Sequence, residues 1–413
     1  MKNLRFSSFL RYSIPGTIWA IGISSLLINL STSVIQNGTA VYLRSVLGVA
    51  VSTVGLVESI VEFIANSLKI FSGIISDYLR RRKLLMVIGF AFLTISKPLL
   101  AISKTVTGVL ISRTIDRIGN GIQATPRDAL VSDAAPKESK GACYGLRQSL
   151  SVVGSTLGGV FGYIVMKLSN DNFQLLFSLA AIPAAFATII LILFVRDKLN
   201  LGNKESKRKI RLKDAKLLGR RFWILMIVVA IFMSARFGEF YIALHASENL
   251  GMPKADIYWI TIIFNLFTTI AAFPTGKLAD SMNKVNLLFI GFLTLFAADM
   301  SIGYASSIFW IFMGTALWGI QRGMTEGIFA ILVSDYVPKD LRGTGFGVYY
   351  IIVAVATFLA TNLAGKIAQK GGEAGAFLSG SLICLVAILS LITLRKILSE
   401  PQDKVPNPQD QAA

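Results

Sequence analysis

The sequence predicts an all-α membrane protein of twelve transmembrane helices, arranged as two pseudo-symmetric six-helix bundles. Three observations lead there. Of the 413 residues, 54% are hydrophobic and only 15% charged, against about 25% charged in an ordinary soluble domain. The apolar residues come in runs of about 20, the length at which a helix crosses a ~30 Å hydrocarbon layer. One fifteen-residue segment is written twice, as VSDAAPKESKGACYG at Val131–Gly145 and VSDYVPKDLRGTGFG at Val333–Gly347. Its aspartates, Asp133 and Asp335, lie 202 residues apart. Solenoid repeats recur every 20 to 50 residues, so a half-chain period means two copies of one large unit.

Along the chain, the first span is expected at 13–43, behind Lys2, Arg5 and Arg11. It runs too long, and lacks the small-residue cleavage site, to read as a removed signal peptide. Spans two to six follow at 52–77, 84–102, 105–131, 142–167 and 174–195. After a basic segment, 196–221, come spans seven to twelve at 222–248, 256–281, 286–305, 308–334, 343–368 and 376–396. Trp19, Trp223, Trp259 and Trp310, with Tyr12, Tyr78 and Tyr258, fall near predicted ends, where amphipathic rings anchor at the membrane interface. The predicted organisation is therefore a bundle over 1–195, a linker over 196–221, a bundle over 222–396 and a Pro- and Gln-rich tail over 397–413. The tail has the composition of a disordered segment.

The net charge is +18, and its placement is informative. Basic residues crowd into 196–221, into Arg80-Arg81-Arg82-Lys83 and into the N-terminal stretch. Alternate loops hold isolated Arg44, Lys104, Lys167 and Lys254. That alternation is the positive-inside pattern. It predicts a multi-pass protein of the inner, cytoplasmic membrane with both termini in the cytoplasm, and it explains the charge without a nucleic-acid partner. Two cysteines in different segments, Cys143 and Cys384, and one histidine, His245, indicate neither a disulfide framework nor a metal site. There is no Walker-type glycine loop and no nucleophile–histidine constellation, so neither direct ATP drive nor an enzyme is expected. No cofactor is implied, and a monomer is expected. The triplet Asn37-Gly-Thr39 falls inside span one and is not read as a glycosylation site.

A second repeat accompanies the first. Gly73-Ile-Ile-Ser-Asp77, followed by the basic cluster, ends span two, and Gly276-Lys-Leu-Ala-Asp280, followed by Lys284, ends span eight. An even number of spans per half gives both copies one orientation, related by an axis along the membrane normal. Two such motifs at matching depth in a 6+6 chain resemble the major facilitator superfamily, over essentially residues 1–396. Arg113 to Asp133 also looks like a bacterial branch of it. The resemblance implies a secondary transporter with spans one, four, seven and ten around a central cavity. It also implies a cytoplasmic gate built from Gly73, Asp77, Arg81, Arg82 and Asp133, with Asp280, Asp335 and Arg342 in the second copy. Arg127 and Arg147, near the cytoplasmic ends, are assigned to the same latch. The plainer alternative is that these charges mark the membrane edge.

Ionisable residues inside spans are costly and tend to face an internal cavity. In span four, Arg113, Asp116, Arg117, Asn120 and Arg127 form one helical stripe; in span two, Glu58, Glu62, Asn66 and Lys69 form another. Span seven carries Arg236 and Glu239 one turn apart, and span ten carries Arg322 and Glu326. The span-one counterparts of Arg236 and Glu239 are Ser33 and Gln36. Ser33, Gln36, Arg117, Asn120, Arg236 and Arg322 are the candidate solute ligands, because guanidinium forks suit a carboxylate or phosphate. Glu58, Glu62, Asp116, Glu239 and Glu326 are the candidate proton carriers, because a carboxylate exchanging burial for an arginine partner changes its proton affinity. The competing reading is that these charges neutralise one another within a helix and fix packing. Trp318, Tyr349, Tyr350 and Tyr241 are read first as packing residues, and Asp299 as approaching the outer interface.

The expected activity is proton-coupled movement of a small organic solute, leaning to a carboxylate-bearing or siderophore-like anion, by alternating access. Efflux of an amphipathic drug is the alternative within the class; a receptor or scaffold that keeps the fold is the alternative outside it.

Overall fold

The computed structural model describes residues 14–79, 82–136, 139–195, 217–338 and 341–399. The first half holds α1 (Gly16–Ser45), α2 (Val51–Leu79), α3 (Arg82–Ile102), α4 (Val106–Ala134), α5 (Lys140–Leu168) and α6 (Phe173–Phe194). The second holds α7 (Arg220–Ala235), α8 (Phe240–Asn249), α9 (Tyr258–Ser281), α10 (Lys284–Gly303), α11 (Ile308–Tyr336) and α12 (Arg342–Ser399). Among the described residues nine helical stretches are long and apolar enough to cross a membrane. The last of them, Thr344–Leu398, has 55 residues, length enough to cross twice. Helices α4 and α11, at 29 residues each, fall outside that set because polar and charged residues interrupt them. Isoleucine, leucine and phenylalanine are left outward-facing on many helices, with Ile102, Leu168, Leu193 and Leu382 each at least 65% exposed, as side chains that meet lipid must be.

One element departs from the expected spans. Span seven is not one helix. It stops at Ala235, leaves Arg236, Phe237 and Gly238 outside regular helix, and resumes at Phe240. Arg236 sits at φ −100, ψ 82, which ends the i→i−4 ladder. Spans eleven and twelve are two helices, as expected, and they follow one another directly across a kink at Gly372, so that α12 denotes the pair. There φ is +76, a left-handed conformation that costs glycine little and a side-chain-bearing residue 1–2 kcal/mol or so.

Within the first half α3 packs on α4 and α6, α1 on α5 and α6, and α2 on α4. Within the second, α11 packs on α9 and α10, and α12 on α7 and α10. The internal repeat is visible in the packing. A Cβ at Gly121 of α4 would stand 2.5 Å from the Leu68 Cβ of α2, and one at Gly323 of α11 would stand 2.4 Å from the Thr268 carbonyl of α9. These glycines are 202 residues apart, and each lets two helices of its own half approach closely.

The halves meet through α2 with α12, α5 with α9, and α1 with α8. We call the face where α1 begins and α6 ends the terminal face, and the opposite one distal. The joining contacts among the described residues lie toward the distal face. Tyr258 donates to the Val34 carbonyl at 3.0 Å, Asn362 to Ser59 at 2.6 Å, and Arg44 to Glu248 at 2.5 Å. Phe63 meets Phe358, and Tyr163 meets Trp259. The apolar core shows the same polarity. The distal ends of the first half share one buried cluster with the second half, whereas its terminal ends form a separate cluster around Phe90, Leu130 and Leu191.

Candidate functional site

Between the halves, on the terminal side of those contacts, lies a cavity of two lobes with volumes of about 340 and 420 Å³. Such volumes suit a small organic molecule. Seven residues line both lobes: Gln36, Glu62, Lys69, Arg117, Glu239, Arg322 and Glu326. Six of the seven carry charge. Helices α1, α2, α4, α8 and α11 and the break before α8 thus bring the predicted stripes to one place.

On the first-half side the charges form a chain into the bundle. Arg113 of α4 donates to Glu58 of α2 at 2.7 Å, and its other nitrogen lies 3.8 Å from Asp116. Arg117 lies 3.8 Å from Glu62 and 4.0 Å from Asp116. The deepest link was not expected from sequence: Lys97 of α3, fully buried, donates to Asp116. Isolated ions here would each cost several kcal/mol of desolvation, so every member depends on the next. Ser96 supplies Asp116 with a further hydroxyl at 3.2 Å.

On the second-half side the pairing is exchanged between helices. Arg236, expected to pair with Glu239 one turn on, instead donates to Glu326 of α11 at 3.0 Å. Arg322 of α11 reaches Glu239 at 2.9 Å and Glu326 at 2.9 Å. The break in span seven removes the regular spacing that a local Arg236–Glu239 pair needs. Gln36 of α1 closes the set by donating to Glu239 at 2.7 Å. Arg322 also lies over the Phe264 ring, 5.2 Å from its centroid.

Lys69 is the exception. Its ammonium donates to Asn66 at 3.0 Å, and no carboxylate among the described residues lies within the 4.0 Å of an ion pair. Four carboxylates line the cavity (Glu58, Glu62, Glu239, Glu326), each with a cation within 4.0 Å, and Asp116 is paired behind them. Among the described residues Lys69 is the lining cation with no carboxylate within that distance, and it reaches Glu62 through Asn66.

The internal duplication, helical architecture and charged central cavity converge with one comparison. A model of the Major Facilitator Superfamily matches residues 21–246 and 240–413. The chain belongs to the major facilitator superfamily. It is accordingly a multi-pass membrane transporter and not an enzyme, and superfamily members bind small-molecule substrates. It is similar to the uncharacterized MFS-type transporter MJ1317 of Methanocaldococcus jannaschii, 28% identical over 396 residues, covering 95% of this chain and 98% of that protein. It is also similar to the inner membrane transport protein YajR of Escherichia coli, 22% identical over 370 residues, covering 86% and 76% of the two chains. Among solved structures, that of the nucleoside transporter NupG shares the fold at a TM-score of 0.75 and 13% identity, covering 92% of this chain and 99% of that one.

Within the superfamily fold, the other expected residues are placed as follows. Ser33 lines the first lobe with Asn120 and donates to the Ser155 carbonyl at 2.9 Å. Arg82 donates to Asp133 and to the Ala129 carbonyl, and Lys284 lies 3.0 Å from Asp335. Both pairs tie neighbouring helices of one half, α3 to α4 and α10 to α11, at matching positions of the repeat. Asp128 stands between Arg127 at 3.2 Å and Arg147 at 3.7 Å. Gly73 lies within α2. Arg81 is outside the described residues, as are the side chains of Asp77, Asp280 and Arg342, most of the linker and nearly all of the tail. Asp299 does not approach an interface. It is fully buried and accepts the Trp318 indole proton at 2.7 Å. His245 is bound by Asn249 at 2.6 Å, and no metal-holding cluster occurs among the described residues. Cys143 and Cys384 are buried and unbridged.

Lys97, Gln148 and Asn265 were missed by sequence reasoning. Lys97 had a signal, a lone cation in the apolar run of span three. The two amides had none, because neutral polar residues are common on any membrane helix.

Proposed function

We propose that this protein moves a small organic anion across the cytoplasmic membrane by alternating access, driven by protons. The observation that carries the anion is Lys69, an ammonium that borders both lobes and has no carboxylate within 4.0 Å among the described residues. Holding a cation in a membrane interior is costly, and a carboxylate or phosphate of the solute would supply its missing partner. Glu62, Glu239 and Glu326 are the proton carriers. Each is paired with an arginine in the cavity wall, and each would take up a proton when solute or helix movement draws that arginine away.

Among the described residues the joining contacts run from the distal side to the cavity centre, where Gln36 meets Glu239, and this supports an arrangement open toward the terminal face. With Arg82 and Lys83 at the start of α3 and Arg220 and Arg221 at the start of α7 on that face, it corresponds to the cytoplasm. Twelve crossings follow if α4 and α11 each cross, α7 and α8 form one span and α12 turns back at Gly372. The latch reading of Asp77, Asp280, Arg342 and their neighbours belongs to the opposite state, in which the terminal ends would meet.

The test is uptake into proteoliposomes of a panel of labelled carboxylates, phosphates, neutral polyols and organic cations under an imposed pH gradient. Acid-driven accumulation of an anion, lost in Lys69→Met but not in Lys69→Arg, is expected. Accumulation of a neutral or cationic solute, equal in wild type and Lys69→Met, would overturn the reading in favour of drug efflux or another cargo.

A further inference from the structure

The two lobes of the cavity have different chemistry. The first, between α1, α5 and α9, is bordered by amides and hydroxyls, among them Asn29, Gln148 and Asn265. Asn29 and Asn265 spend one amide proton each on a carbonyl of their own helix, at 2.6 and 3.0 Å, which leaves their side-chain oxygens as acceptors. Gln148 spends its oxygen on Arg147 at 3.0 Å, which leaves its NH₂ as a donor. A wall offering both acceptors and donors suits hydroxyl groups, which do both at once.

The second lobe, between α2, the span-seven break, α11 and α12, is bordered by Phe237, Phe240, Trp318, Tyr349 and Tyr350. Asp299 takes the indole proton of Trp318, so this residue offers the lobe only its ring. Tyr350 packs against Tyr349 and Phe346, with centroids 5.2 and 6.4 Å apart, yet stays 41% exposed, so part of its ring is uncovered. Aromatic rings of this kind hold a flat ring by offset stacking or edge contact. The charged strip, with Lys69, runs where the lobes join.

Resting on the anionic reading above, the geometry points to a cargo that is an aryl glycoside acid in kind: a hydroxylated ring in the first lobe, a flat aromatic ring in the second, and an anionic group between them at Lys69. Fragments carrying two of the three features would fill one lobe or leave Lys69 unpartnered, and would bind less tightly.

The experiment is isothermal titration of the purified full-length protein in detergent with four probes. 4-Nitrophenyl β-D-glucuronide carries all three features. 4-Nitrophenyl β-D-glucoside lacks the charge, glucuronate lacks the aromatic ring, and 4-nitrobenzoate lacks the hydroxyls. The glucuronide should bind about tenfold or more tighter than each of the others, the scale of one good ring contact or charged hydrogen bond. Asn265→Ala should weaken the glucuronide and leave 4-nitrobenzoate unchanged; Tyr350→Ala should weaken the glucuronide and leave glucuronate unchanged. If 4-nitrobenzoate or glucuronate binds as tightly as the glucuronide, the two-lobe assignment is overturned while the anionic reading stands. If the neutral glucoside does so, the anionic reading falls as well. Binding by none of the four, from protein that is monodisperse and unfolds cooperatively, also overturns the assignment.

Discussion

Gln36 donates to Glu239 at 2.7 Å, across the interface of the halves, and the two residues are 203 positions apart in sequence. They occupy equivalent places in the two copies of the repeat. Equivalent residues touch only where both lie beside the axis that relates the copies, so the pseudo-two-fold axis passes through this hydrogen bond. Arg44 and Glu248, 204 positions apart in sequence and 2.5 Å apart in space, mark the same axis nearer the distal face. The centre of the cavity is thus where the copies have diverged: a neutral amide on one side, a carboxylate held by Arg322 on the other.

Glu239→Gln keeps the shape of that centre and removes its charge. Arg322 retains Glu326 at 2.9 Å, so the fold should survive. Expected is loss of pH-driven accumulation with solute exchange between the two sides preserved. Parallel measurements of uphill uptake and counterflow check it; full accumulation would remove Glu239 from proton coupling.

Lys97→Met should destabilise the first bundle by about 3–5 kcal/mol, the cost of breaking a buried pair from one side. Asp116 would then keep the Ser96 hydroxyl at 3.2 Å and, as cations, only distant arginines at 3.8 and 4.0 Å. Thermal unfolding followed by size-exclusion chromatography measures the loss. Lys97→Arg should recover part of it, since charge rather than length is what Asp116 requires.

How much of this was legible beforehand follows from the range of each signal. The two halves were readable because the repeat is local text, and so were the stripes of α2 and α4, because helical periodicity puts Glu58 beside Glu62 and Arg113 beside Arg117. The partners were not. Arg236 and Glu239 looked like a pair at helical spacing, but the backbone leaves the helix between them and each takes a partner from α11. Lys97 was visible as a charge and silent about its destination, because which face of α3 meets α4 depends on packing between helices. Asp299 illustrates the same limit: its place depends on Trp318, nineteen residues away on another helix.

The Arg44–Glu248 pair is partly exposed, at 35% and 26% of the side chains, so its contribution is about 0.2–1 kcal/mol. Glu248→Arg should open the distal face by a few-fold in population, and the exchanged double variant Arg44→Glu/Glu248→Arg should restore it. Accessibility of a cysteine placed at Thr361, a buried residue of α12 that lines the second lobe, to a membrane-impermeant thiol reagent added on the distal side reads the shift. Unchanged labelling in all three proteins would mean that the pair does not bias the state.

Gly121→Ala and Gly323→Ala should each cost about 1–3 kcal/mol, the usual penalty of overpacking. The second should cost more, because its new methyl meets three atoms at 3.0 Å or less (the Thr268 carbonyl oxygen, the Ala272 nitrogen and the Ala271 Cβ), whereas the first meets one, the Leu68 Cβ. Melting temperatures of the two variants in one detergent decide the order.

The break between α7 and α8 has no counterpart in α1, which runs without interruption from Gly16 to Ser45. An ancestor assembled from two copies of a single six-helix chain would have had the same helix on both sides of its axis, with matching side chains facing each other at the centre. Such a homodimer holds any cargo equally well in the two orientations that its axis interchanges. With one helix opened at Arg236 and its counterpart α1 continuous, the two sides of the centre are unlike, so a cargo bound there meets different neighbours at its two ends and can be held in one orientation.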